Sequence, residues 1–205
     1  KYFKQNAGFN LNYRNKKVNL FGGYNITNGK EYNFQNFDRT QNAQHYDFKS
    51  ENINNGVSNT LKAGADYYIN SKSVIGVMGN MMTNNGDFSS SSKTYINPVG
   101  DDISKVLVAT NKIPSSRFNT GLNLNYKFED TFGHSFNVDL DYGIFESKGK
   151  SYQPNTYWNP NETNIISQSI YRSNTPTHIN IYTAKADYEQ NLWKGKLGLG
   201  LKTAY

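Results

Sequence analysis

Asp139 and Asp141 stand two residues apart in Ser135-Phe136-Asn137-Val138-Asp139-Leu140-Asp141-Tyr142, a spacing that puts both carboxylates on one face of an extended strand. Two carboxylates on one surface are what glycoside hydrolysis uses, one as acid and the other as base or nucleophile. Asn137 shares their face, however, and Asn123 and Asn125 occupy the matching face of the preceding segment. A hydrated wall therefore accounts for the two aspartates without catalysis. His45, His134 and His178 lie far apart, with no acidic or histidine neighbour at metal-ligand spacing, and read as turn or loop residues. Asp101-Asp102 offers two adjacent carboxylates of the kind that solvated loops carry. Gly198-Leu199-Gly200 alternates with leucines as a strand does, and so is no phosphate loop. Without cysteine the chain has no thiolate nucleophile, no thiolate metal site and no disulfide framework. No enzyme and no cofactor are expected. The best ligand candidates are Tyr152, Tyr157 and Trp158, set among Asn, Gln and Pro, where rings and amides can stack on and hydrogen-bond a sugar, a peptide or a metal chelate. Phe34, Phe37, Tyr46 and Phe48 are a second such group.

The elements that must position these residues are strands. Residues 117–129 alternate strictly: Phe118, Leu122, Leu124, Tyr126 and Phe128 fall on one face, and Arg117, Asn119, Asn123, Asn125, Lys127 and Glu129 on the other. Eight segments of this kind are predicted, near 7–14, 17–27, 57–70, 73–85, 116–129, 134–147, 178–191 and 195–205. Segment 73–85 is ambiguous, because Val74, Ile75, Val77 and Met78 do not choose a face. Tight turns join the segments in pairs, at Asn15-Lys16, Ser71-Lys72, 130–133 and 192–194. Long polar connections, 28–56, 86–115 and 148–177, separate the pairs. Pairing residues 116–147 with a constant sum of 264 sets Leu124 opposite Leu140, Tyr126 opposite Val138, Leu122 opposite Tyr142, Asn125 opposite Asp139 and Asn123 opposite Asp141. Each such pair contributes roughly 0.2–1 kcal/mol, and a slip of one residue would turn the apolar face into water.

Composition decides what the apolar face meets. Only 36% of the 205 residues are hydrophobic and 31 are Asn, yet aromatics make up 15%. Mean hydropathy is −0.78. Disordered chains are poor in aromatics, whereas a sheet wet on one face with rings at its interfaces has this make-up. Strands of about 12–14 residues exceed the ~9–11 that a membrane strand needs. Tyr13, Tyr67, Tyr126, Phe128, Phe136, Tyr188 and Trp193 gather near the short turns. Tyr24, Tyr142 and Phe145 gather towards the long connections. The formal charge of +6 has no concentrated basic stripe to present to nucleic acid. The reading is an all-β, antiparallel up-and-down transmembrane β-barrel segment of about eight strands, with short periplasmic turns and long extracellular loops. Residues 1–205 form a single segment in this reading, without signal peptide or plug domain.

Gly8-Phe9-Asn10-Leu11-Asn12-Tyr13-Arg14 with Val18-Asn19-Leu20-Phe21-Gly22-Gly23-Tyr24 resembles a hairpin of the Bacteroidota outer-membrane β-barrel family, whose members are similar to TonB-dependent receptors. Lys62-Ala63-Gly64-Ala65-Asp66-Tyr67-Tyr68 before Ser71-Lys72-Ser73 resembles the family's next hairpin. Ala184-Lys185-Ala186-Asp187-Tyr188 and Gly198-Leu199-Gly200-Leu201-Lys202 resemble a later one. The resemblance implies a large single-chain barrel in the bacterial outer membrane, with a plug and a TonB-contacting box in the parent protein outside this segment. It also implies lipid and an unidentified nutrient as partners. Two other readings fit the pattern: a small complete eight-strand barrel, and a soluble β-rich adhesin or carbohydrate-binding module.

Overall fold

Every predicted segment is a strand, and nearly all of the chain between them is strand as well. The computed structural model describes residues 2–205. It contains β1 (Lys4–Arg14), β2 (Val18–Gln41), β3 (Gln44–Tyr68), β4 (Ser73–Pro98), β5 (Lys105–Glu129), β6 (Ser135–Trp158), β7 (Ile165–Asn174), β8 (Thr177–Leu192) and β9 (Gly195–Ala204). They form one antiparallel up-and-down sheet in chain order, with β7 and β8 both on the free edge of β6. The sheet is open, since β1 and β9 do not pair among the described residues. The ninth strand comes from a proline. Lys150 pairs with Asn174 and Ser147 with Thr177, so β7 and β8 continue one register along β6. Thr175 N–H still donates to the Gly149 carbonyl at 2.9 Å, but Pro176 has no N–H to give and breaks the ladder there. Physically the chain crosses eight times.

The expected loops 28–56, 86–115 and 148–177 are corrected by this geometry. They are the upper halves of hairpins whose strands run for 24 to 26 residues. Their true turns are Asn42-Ala43, with φ of 51° and 57° as a two-residue hairpin requires, and the short stretches 99–104 and 159–164. The pattern hid them because both faces are polar there. Ser89-Ser90-Ser91-Ser92 and Asn54-Asn55 keep the strand's period of two without any swing in hydropathy. At ~3.3 Å per residue these strands are about 80 Å long, more than twice the ~30 Å hydrocarbon core of a bilayer.

The register in residues 116–147 is the expected one, pair for pair. Extending it across the sheet sorts every side chain onto one of two faces. The first face carries Phe9, Leu11, Tyr13, Leu20, Tyr24, Leu61, Tyr67, Ile75, Val77, Leu122, Leu124, Tyr126, Phe136, Leu140, Tyr142, Tyr188, Leu197, Leu199 and Leu201. Among the described residues only Ile96 and Val106 are buried apolar side chains, while Leu124 is 44% exposed and Leu199 60%. A protein core would bury that face, so lipid is what covers it. Segment 73–85 resolves too: Ile75 and Val77 face lipid, while Val74 and Met78 point inward.

Tyrosine hydroxyls mark both edges of this apolar band. Towards the long hairpins, Tyr24 donates to Asn59 Oδ1 at 2.6 Å and Tyr142 to Asn180 Oδ1 at 3.2 Å. Towards the short turns, Tyr126 donates to Ser73 Oγ at 3.4 Å and Tyr188 to Gln190 Oε1 at 2.8 Å. Each hydroxyl therefore leans away from the middle, as a ring at a membrane–water interface does. The interval from Tyr182 to Tyr188 is about 20 Å of strand, close to the ~25 Å of an outward apolar band once the hydroxyls are included. One member of the expected belts changes. Phe145 pairs with Asn119 and Ile179 on the inner face, and its place is taken by Tyr182, which stacks on Tyr142 with ring centres 4.8 Å apart.

Candidate functional site

Between the tyrosine belts the second face is a row of amides and carboxylates joined across strands. Asn12 donates to Asn19 Oδ1 at 3.2 Å and Asn19 to Asp66 Oδ2 at 2.9 Å. Further round, Asn125 donates to Asn123 Oδ1 at 2.9 Å and Asn123 to Asp141 Oδ1 at 2.7 Å. Asp139 pairs with Lys185, which bridges to Asp187. Asp141 thus accepts from an amide and Asp139 lies opposite a lysine, both on the inner face. Phe21 is an aromatic on this face, lying against the bare backbone of its register partner Gly64.

Above the membrane band the inner wall changes character. Phe37, Phe48, Thr94, Leu107 and Tyr157 occupy a single register row across β2 to β6. Phe37 and Phe48 stack at 4.5 Å, and the Lys105 ammonium stands 5.3 Å from the centre of the Tyr157 ring. The next inward-facing row below is Gln35, Ser50, Ser92, Ala109 and Asn155, and the one below that holds Asn33, Asn52, Ser90 and Asn111. Ser50 is buried and shares hydrogen bonds of 3.2 Å with Asn52 and Ser90. The buried Oδ1 atoms of Asn111 and Asn155 have no protein partner. A buried carbonyl oxygen without a donor is costly, so these two atoms fit a ligand or solvent that brings N–H or O–H groups. Rings above and neutral amides and hydroxyls below make a surface for a bulky, hydrogen-bonding molecule.

The predicted ligand residues do not form one site. Tyr157 belongs to the inner row just described. Tyr152 and Trp158 have the opposite parity and face outward, with Tyr152 next to Lys112 and Arg172 and Trp158 next to Val106 and Ile165. The first-hairpin aromatics divide as well: Phe37, Tyr46 and Phe48 point inward, with Arg39 5.5 Å from the Tyr46 ring, and Phe34 points outward. Sequence reasoning missed Asn111, Asn155 and the serines. They lie in the expected loops 28–56, 86–115 and 148–177, where no face can be assigned.

All three histidines find acidic partners: pairing of strands brings His45 to Asp38 and His178 to Glu146, while His134 meets Asp130 four residues before it in the same turn. His45 Nε2 lies 3.5 Å from Asp38, His178 Nδ1 3.1 Å from Glu146, and His134 Nδ1 2.9 Å from Asp130. Each is a single pair; no three His, Asp or Glu are grouped for a metal ion among the described residues. Asp101 uses its backbone in the 99–104 turn, with its carbonyl accepting from Asn97 Nδ2 at 3.0 Å.

Three of the short turns are headed by an Asn or Asp whose side-chain oxygen accepts backbone N–H groups further on: Asn15 from Lys17 and Val18, Asn70 from Lys72, and Asp130 from Phe132 and His134. At Asp130 the His134 ring, then the His134 and Phe132 N–H groups, hold the carboxyl down to about 2. A lowered carboxylate pKa adds stability that is complete above the unfolded value of about 3.9 and lost as pH falls through the folded one. The melting temperature of the wild type should therefore exceed that of Asp130→Asn above about pH 4. The gap should close as pH is taken down through about 2. A constant gap in a melting series from pH 6 to pH 1.5 would remove the carboxylate from this role.

Residues 126–205, from the end of β5 through β9, match the outer membrane protein beta-barrel family. No curated protein matches the sequence. The match, the up-and-down sheet and the lipid-facing band agree: the fold is that of an outer-membrane β-barrel wall, and the location is the bacterial outer membrane.

Proposed function

We propose that this chain is barrel wall and surface hairpins of a TonB-dependent outer-membrane receptor, which takes up a nutrient too large for a porin. The observation that carries the reading is the inner surface above the membrane, where Phe37, Phe48 and Tyr157 stand over rows of Ser and Asn with two unpartnered buried oxygens. A passive wall needs only hydration there. A receptor needs rings and hydrogen-bonding groups that face the route inward. The open sheet adds support, because more strands would have to join β1 and β9 to close it. In this scheme the hairpins capture the ligand, and the plug of the parent protein moves when TonB delivers energy, as the Bacteroidota resemblance implies. The residues of this chain bind and guide; no bond is made or broken.

The test uses the source bacterium carrying Phe48→Ala with Tyr157→Ala in the full-length gene, grown on single limiting nutrients: iron chelates, oligosaccharides and oligopeptides. The reading expects slower growth on one class, with unchanged amounts of protein in the outer membrane and uptake that an uncoupler abolishes. Equal growth on every class would sink it.

A further inference from the structure

The outward face of the upper hairpins is polar but not evenly charged. On β5, β6 and β7 it gathers Lys112, Lys148, Lys150 and Arg172, all exposed. Lys112, Tyr152 and Arg172 lie in one register row, and Lys150 pairs with Asn174 in the outward row below. The Arg172 guanidinium stands 5.2 Å from the centre of the Tyr152 ring, which is 46% exposed. Lys112, Pro114, Lys150, Tyr152, Arg172 and Asn174 line a groove of about 630 Å3. Pro114, with no N–H, sits where the β5–β6 ladder lapses between Lys112–Tyr152 and Ser115–Gly149.

Six lysines elsewhere in the sheet are neutralised by carboxylates: Lys4 with Glu31, Lys49 with Asp47, Lys93 with Glu162, Lys127 with Glu129, Lys185 with Asp187 and Lys196 with Glu189. Among the described residues none of Lys112, Lys148, Lys150 and Arg172 has such a partner. Two carboxylates lie nearest these four cations on the outward face. Asp87 lies beside Pro114, and Glu146 is engaged by His178. The balance remains positive.

Height identifies what the groove meets. On the outward face of β6, Ile144 is the last aliphatic residue before the charged run Glu146, Lys148 and Lys150. Lys148, Lys150 and Tyr152 follow about 13, 20 and 26 Å further along the strand, or about 10 to 20 Å above the hydrocarbon at a tilt of ~35–45°. A simple phospholipid headgroup layer is only ~5–8 Å deep, so it ends below the groove. A phosphorylated saccharide headgroup reaches that height. Its phosphates suit the lysines and the forked guanidinium, and its sugar rings suit the exposed face of Tyr152.

We propose that the outward groove at Lys112, Lys150, Tyr152 and Arg172 binds the phosphorylated saccharide headgroup of an outer-leaflet glycolipid. The inference rests on the reading that the apolar face meets lipid and the long hairpins lie outside the cell. The test begins with the full-length protein extracted from outer membranes, and absence from that fraction would overturn the reading of the faces. Purified protein in mixed micelles is then titrated with bis-phosphorylated lipid A carrying its core sugars, and with the enzymatically dephosphorylated form. The wild type should bind the phosphorylated form at least tenfold more tightly. Lys112→Gln/Lys150→Gln/Arg172→Gln should lose that preference, and Lys93→Gln should keep it. Equal binding of both lipids, or an unchanged triple variant, would overturn the headgroup site alone. So would displacement by inorganic phosphate at matched concentration, which would mark a small-anion site. Should the triple variant fail to fold, judged by heat-modifiable gel mobility, Tyr152→Ala decides. A tenfold weakening supports the site and unchanged binding refutes it.

Discussion

Leu124→Arg should destabilise the folded barrel by about 2–4 kcal/mol in lipid vesicles, while Asn123→Arg, one residue away, should change stability little. Leu124 lies between the tyrosine belts, opposite Val77 and Leu140, with 44% of its surface open to whatever surrounds the sheet. If that is hydrocarbon, a guanidinium there must leave water or snorkel to an interface. Asn123 instead points to the inner wall and donates to Asp141 Oδ1 at 2.7 Å. An arginine in its place loses the amide contact but brings a cation beside a carboxylate in water. Urea titration of both variants from preformed vesicles reads the difference directly. Equal costs would mean that the two faces have the same solvent, and the assignment of lipid to one side would fall. The choice of neighbours matters, because backbone propensity, strand and depth are shared and only the direction of the side chain differs.

How much of this was legible beforehand depended on contrast between faces. In residues 116–147 apolar and polar side chains alternate without a break, and the register follows pair for pair. The same logic failed where contrast vanished. Ser89 to Ser92 and Asn54-Asn55 are strand residues with water on both sides, so hydropathy gives no period and the hairpins passed for loops. Pro176 was read as part of a loop for the same reason, although its register places it within a single crossing. The candidate site suffered most from this. Tyr152, Tyr157 and Trp158 form one cluster on paper, but the parity of a strand sends Tyr157 inward and the other two outward. Phe37, Phe48 and Tyr157 are far apart in sequence, and only hydrogen-bond registry brings them into one row. Glycines gave no period either, yet one of them holds an inner-wall contact that can be measured.

Gly64→Ala should destabilise the barrel by about 1–3 kcal/mol, a large effect for adding a single methyl group at a strand position. Gly64 pairs with Phe21 on the inner face. A Cβ built there would meet the Phe21 ring, with Cε2 at 2.8 Å, and the Val77 carbonyl oxygen at 2.9 Å. The usual gain of alanine over glycine in a strand is reversed because the space belongs to the ring. An aromatic laid over a glycine shields backbone that would otherwise be bare, which explains a Phe on this largely polar wall. The ring can be tested separately from the carbonyl. Phe21→Ala alone should destabilise by removing that cover, and in its background Gly64→Ala should cost less than in the wild type, with a coupling of about 0.5–3 kcal/mol. Additive effects in the double-mutant cycle would assign the obstruction to the Val77 carbonyl and detach Phe21 from Gly64. A wild-type background that tolerates Gly64→Ala outright would mean that the ring swings freely into the lumen. The inner wall at this level would then be water-lined from β1 to β9, with no aromatic seat between the belts.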